Sequence, residues 1–139
     1  MATDTVTMHI PSELRVAIEE AGQRSGRDFS SVASELLGEA VKMRRIPGII
    51  FTDGVKERVP QLAGSGLEVF EIIAQYRATG DNWEQLRQEF PWLTDSQLHA
   101  ALAYAAAYPE DVVARLHTEN ALIPERVWAN HPFMKPPWR

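Results

Sequence analysis

The chain contains no cysteine, which excludes disulfide staples and thiolate metal sites. No apolar run approaches the ~18 residues that a membrane span needs. The first residues carry neither the basic nor the apolar block of a secretory leader, so the expected location is cytoplasmic, and nucleoid-associated if the chain holds DNA. Positive charge is scarce: 14 Lys and Arg against 19 Asp and Glu leave a formal charge of -5, a poor balance for a generally basic nucleic-acid binder. The marks of catalysis are missing as well. The histidines stand at 9, 99, 117 and 131, without metal-ligand spacing. Gly64-Ser65-Gly66 precedes a helical pattern, yet no lysine follows to complete a phosphate loop. Glu84, Glu89 and Asp95 lie near one another in sequence, and nothing marks them as an acid–base pair. The reading is therefore no enzyme, no metal and no cofactor.

What is present is organised unevenly. A chain of 139 residues suits one domain or two very small ones. Residues 1–45 carry six Lys/Arg against seven Asp/Glu, residues 64–120 three against nine, and residues 121–139 three against one. If any part meets DNA, the first segment is a better candidate than the acidic middle. Apolar and polar residues alternate from Thr5 to Ile10, the period of a half-buried strand. Val6, Met8 and Ile10 are expected on the core side, with Thr5, Thr7 and His9 on the other. Pro11 ends the strand, and a helix is expected from Ser12 to about Arg24, with Leu14, Ala17, Ile18 and Ala21 as its apolar stripe. Gly26 is its natural stop. Asp28 or Ser30 can cap a second helix bearing Val32, Ala33, Leu36, Leu37, Ala40 and Val41, which ends in Lys42-Met43-Arg44-Arg45 before Pro47-Gly48. One strand of six residues completes no sheet alone. The same strand of a second copy is its simplest partner.

This strand–helix–helix unit resembles the ribbon-helix-helix family of MetJ/Arc/CopG-type repressors and antitoxins. The resemblance rests on Val6-Thr7-Met8-His9-Ile10-Pro11-Ser12-Glu13-Leu14, on the link Gly26-Arg27-Asp28-Phe29-Ser30-Ser31, and on Glu35-Leu36-Leu37. It implies a dimer whose two N-terminal strands form one ribbon in the DNA major groove. Carried onto this chain, Thr5, Thr7 and His9 would read bases, and the backbone N–H groups of Phe29, Ser30 and Ser31 would hold a phosphate at the start of the second helix. The chain departs from the family in one respect. Family ribbons often present Arg or Lys, and this outward face has none, so the non-specific part of binding is expected to be weak.

The middle of the chain begins with two short strands, Gly48–Gly54 and Arg58–Gly64, around an Asp53-Gly54 turn. Pro60 suggests an edge position. A helix is expected over Leu67–Thr79. A short one follows with Trp83, Leu86 and Phe90 at helical spacing, closed by Pro91, and Trp83, Phe90 and Trp92 are assigned to the core. Thr94-Asp95-Ser96-Gln97 has the pattern of a capping box, and Pro109 opens a last helix. The series Pro47–Gly54, Leu62–Leu67, Phe90–Thr94 and Ala100–Ala105 with Pro109-Glu110 resembles a small bacterial domain of unknown function found in VapB-type antitoxins, often encoded beside PIN-like ribonuclease toxins. The three helices from Leu67 to Tyr108 can be drawn as a helix-turn-helix. The third would then be the recognition helix, and it carries no Lys or Arg, so groove reading there is disfavoured.

The expected fold is mainly α: a ribbon-helix-helix unit over residues 1–46, a hairpin with a helix-turn-helix-like cluster over 47–120, and an extended tail over 121–139. The tail sets Trp128, Phe133, Met134 and Trp138 among four prolines. It suits either its own dimer or a groove on a partner, where Arg126, Lys135 or Arg139 would face the acidic centre of a PIN-like nuclease, as the resemblance implies. The expected function is that of a homodimeric, operator-binding autorepressor of the antitoxin type. The alternatives are a stand-alone repressor or chromosome-associated protein without a toxin, and an interaction module whose ribbon only dimerises.

Overall fold

The computed structural model describes residues 3–121; the tail residues Arg126, Trp128, Phe133, Lys135, Trp138 and Arg139 lie outside them. The described residues are mainly helical, with one antiparallel hairpin. Its elements run α1 (Ser12–Ser25), α2 (Phe29–Arg45), β1 (Ile49–Asp53), β2 (Arg58–Leu62), α3 (Val69–Ala78), α4 (Trp83–Glu89), α5 (Asp95–Ala107) and α6 (Pro109–Ala121). The chain divides into two compact units, Met1–Arg44 and Arg45–Arg139.

In the first unit α1 begins directly after Pro11, whose carbonyl accepts from the N–H groups of Leu14 and Arg15. It ends at Gly26, which adopts the left-handed conformation at φ 68°. The Arg27 N–H then closes back onto the Gly22 carbonyl at 2.9 Å. Gly22 itself is buried, and a Cβ there would lie 2.6 Å from the Arg27 carbonyl oxygen and 3.7 Å from Val32 Cγ2. That glycine permits the tight return from α1 into α2. Asp28 caps α2 by accepting from the Ser31 N–H at 2.8 Å, as the sequence suggested. Ile18 and Val32 are the buried apolar side chains of the pair.

The second unit closes a fuller core. The hairpin pairs Ile49 with Leu62, Ile50 with Gln61, Phe51 with Pro60, Thr52 with Val59 and Asp53 with Arg58. Pro60 sits where its missing N–H removes no bond between the two strands, because the bonded pairs fall at the alternate positions set by Ala63 N–H to Gly48 O and Gly54 N–H to Glu57 O. The outward carbonyl of Phe51 is covered differently: Arg58 Nη2 donates to it at 3.0 Å while Arg58 Nη1 holds Asp53 at 3.0 Å. Leu62, Val69, Ile72, Leu86 and Ala101 are wholly buried, and they cluster with Ile46, Ile49, Phe70, Leu98, Tyr104 and Val112. Helix α5 carries the capping box read from the sequence, with Thr94 Oγ1 accepting from Gln97 N–H and Gln97 Oε1 accepting from Thr94 N–H. Tyr104 lies at the centre, its ring 6.2 Å from Phe70 and 5.1 Å from Tyr108. Its hydroxyl donates to Asp111 Oδ2 at 3.0 Å, and burial, reinforced by that carboxylate, pushes its ionisation well above the ordinary tyrosine range.

Two expectations need correction. Trp92 was assigned to the core and is 65% exposed. Helix α4 ends at Glu89, so Trp92 is out of phase with it and packs edge-on against Phe90, 5.7 Å between ring centres. Val6 and Met8 were placed on a core face, yet within this chain they are 80% and 61% exposed.

Candidate nucleic-acid interface

Residues 3–11 form no strand within this chain. A strand needs a hydrogen-bonded neighbour, and the hairpin that supplies the protein's strands comes later and pairs with itself. The apolar positions of the segment still gather at one place. Val6, Met8 and Ile10 border a groove of about 470 Å³ in the first unit. Leu14 and Ile18 of α1 and Phe29, Ala33, Leu36 and Leu37 of α2 complete its walls. Leu36 and Leu37 are 45% and 57% exposed. Both helices thus turn an apolar face outward, and the leading segment lies against it with its own apolar side chains only partly covered. An apolar concavity of this kind on so small a unit is a candidate interaction surface.

Thr5, Thr7 and His9 are all exposed, and Thr7 also borders the groove. At the start of α2, Phe29, Ser30 and Ser31 stand in the first turn. Of their three N–H groups, that of Ser31 is engaged by Asp28. Hydrogen bonds from the Ser31 backbone first, then from its side chain, with the nearby Arg27 guanidinium, hold the Asp28 carboxyl below its ordinary value of 3.8. A fixed anion therefore occupies the helix end that sequence reasoning offered to a phosphate. The signal was in the sequence, since Asp28 was one of two candidate caps. Its consequence for phosphate binding follows only once the bond is seen. Arg27 turns along α2 instead, to Glu35 Oε1 at 3.0 Å and to the Ser31 carbonyl at 3.2 Å.

The second unit offers a different surface. His99 of α5 stacks on Trp83 of α4, ring centres 4.4 Å apart and nearly parallel at 5°. Arg87 is tied to Asp95 and Glu84 at 3.0 and 3.3 Å. Arg115 of α6 is tied to Glu68 at 3.0 Å and lies over the Phe70 ring. The cations of these helices thus serve internal ion pairs, and α5 brings none of its own to a phosphate. Among the described residues no group of three or more His, Asp or Glu is arranged to hold a metal ion, and no helix is long and apolar enough to cross a membrane.

Residues 49–105, which run from β1 into α5, match the model of a family described as "Protein of unknown function (DUF433)". The match covers less than half of the chain and leaves the first unit outside it. Neither the curated proteins nor the solved structures contain a match to this chain.

Proposed function

We propose that the protein is a homodimeric, sequence-specific DNA-binding repressor of the antitoxin type. Two copies pair residues 5–10 as an antiparallel ribbon and close the apolar grooves of their first units against each other. Thr5, Thr7 and His9 of both chains then enter the major groove, and the α2 N-termini at Phe29, Ser30 and Ser31 approach the flanking phosphates. The observation that carries this reading is the outward apolar face formed by Val6, Met8, Leu36 and Leu37. Each such side chain contributes roughly 1.5–3 kcal/mol when fully buried, and a second copy supplies a matching face through two-fold symmetry.

Two substitutions separate the halves of the proposal. Met8→Lys places a charge in the groove, and the expected result is a monomer by light scattering that no longer shifts operator DNA. Thr7→Asp places an anion against the major groove, and the expected result is an intact dimer without DNA binding. Wild-type affinity of the Thr7→Asp dimer for operator DNA rules out the ribbon as the reader.

The antitoxin assignment rests on the resemblance of the middle segment to VapB-type proteins. The partner is a PIN-like ribonuclease held by the tail through Arg126, Lys135 or Arg139, flanked by Trp128, Phe133 and Trp138. Co-expression with a nuclease encoded by the adjacent reading frame tests it: a complex that is lost on deleting residues 121–139 supports the assignment. Full binding by the truncated chain removes the tail from it. A second reading, a dimeric interaction module without DNA, is favoured by the absence of Lys and Arg from residues 3–10 and by the carboxylate at the α2 N-terminus. A salt titration on operator and random duplexes distinguishes the two.

A further inference from the structure

The segment before α1 repeats one residue type on one side. With a period of two, Thr3, Thr5 and Thr7 fall on the same face as His9, and all four are exposed. Asp4 falls on the other face, with Val6 and Met8. Arg and Lys make the bidentate contact to guanine, and Asn and Gln make it to adenine. None of those four residue types occurs between residues 3 and 10. A threonine offers a hydroxyl and a methyl on one stiff, β-branched carbon. Thymine is the base whose major-groove edge offers the complement, an O4 acceptor beside a C5 methyl. The threonine hydroxyl donates to O4 while its methyl packs on the thymine methyl. On cytosine the same hydroxyl still finds a partner, but the methyl contact is missing.

Resting on the ribbon reading above, we infer that the threonine face selects thymine through its 5-methyl group, so that Thr5 and Thr7 are specificity-determining by shape as much as by hydrogen bonding. The low cation content of the face makes this contact a large share of the discrimination. A ribbon that leans little on phosphates gains little from non-specific attraction, and it must distinguish sites by what the base edges offer.

The test uses the full chain. Duplexes are selected from a random pool, and each thymine of the recovered half-site is then replaced by uracil, which removes the methyl and leaves pairing and charge unchanged. Burial of one methyl-sized group at about 0.8 kcal/mol corresponds to about fourfold in affinity, and about 15-fold when both symmetric half-sites are altered. The wild-type protein is expected to lose that much at two or more thymines. Thr5→Ser and Thr7→Ser keep the hydroxyl and lose the methyl. Each is expected to bind the thymine duplex as weakly as wild type binds the uracil one, and to be indifferent to the exchange at its own base. Equal wild-type affinity for thymine and uracil duplexes overturns the inference while leaving the ribbon reading in place. So does full uracil sensitivity in both serine variants. Recovery of no duplex from the pool overturns the ribbon reading, and this inference with it.

Discussion

The two units handle their apolar residues in opposite ways. The second surrounds Leu62, Ile72, Leu86 and Ala101 completely, and each is 0% exposed. The first buries Ile18 and Val32 and leaves Val6, Met8, Leu14, Leu36, Leu37 and Val41 substantially open to solvent. Both are rich in helix, so the difference is not one of local propensity. It is one of where the matching surface comes from. The second unit folds a hairpin and four helices around one centre. The first has two helices and a leading segment, too few layers to enclose their own apolar faces. A unit that stops short of closing its core fits the proposed pairing with a second copy.

The strongest way to break this contrast is truncation of one leucine in each unit. Leu62→Ala is expected to cost about 2–5 kcal/mol, because it leaves a cavity in a sealed core, and a denaturant titration reads it directly. Leu37→Ala is expected to cost under about 0.5 kcal/mol in the isolated monomer while weakening the dimer several-fold, seen as a shift in the concentration at which sedimentation reports half-association. An equal stability cost for the two variants at monomer-forming concentrations removes the distinction.

Smaller effects sharpen it within the first unit. Gly22→Ala drives a methyl into the Arg27 carbonyl and is expected to cost about 1–3 kcal/mol, whereas Gly38→Ala in α2, where a Cβ meets nothing within 4 Å, is expected to gain about 0.5–1 kcal/mol. Thermal melts of the two variants should move in opposite directions. Asp28 gives a pH signature. Its carboxyl is lowered in the folded state, so its contribution is present above the unfolded value of 3.8 and is lost as pH falls through the lower folded value. Asp28→Asn keeps an acceptor for Ser31 N–H and removes the anion. It is expected to flatten that acid dependence and to tighten operator binding by relieving repulsion of phosphate, measured by fluorescence anisotropy at neutral pH. Weaker DNA binding by Asp28→Asn detaches the α2 N-terminus from the phosphate role.

Much of this was legible in the residues and some was not, for physical reasons. The capping box at Thr94–Gln97, the stop at Gly26 and the hairpin about Asp53-Gly54 are local chemistry, and each appears where the pattern places it. The two expectations that failed within the chain turn on what covers a side chain. The alternation of Val6, Met8 and Ile10 records that a face is to be covered, but periodicity does not say by what. Trp92 follows Phe90 and Pro91, so composition suggests core, while the end of α4 at Glu89 decides its phase. Gly22 had no readable signal at all. A glycine inside a helix resembles a weak helix former, and only the approach of the Arg27 carbonyl gives it a reason. Asp28 was legible as a cap and illegible as a competitor, because competition depends on which N–H it takes.

The guanidinium of Arg58, seated on the outward carbonyl of Phe51, has a consequence for assembly. A protein that recruits its twin by lending a strand runs a hazard whenever it carries a second open strand, since any exposed row of peptide groups invites the same handshake. By stoppering β1 from the side, Arg58 withdraws the hairpin from that competition. Under the proposed ribbon, zipping between chains is then expected to stay with their leading segments, with association ending at a closed pair.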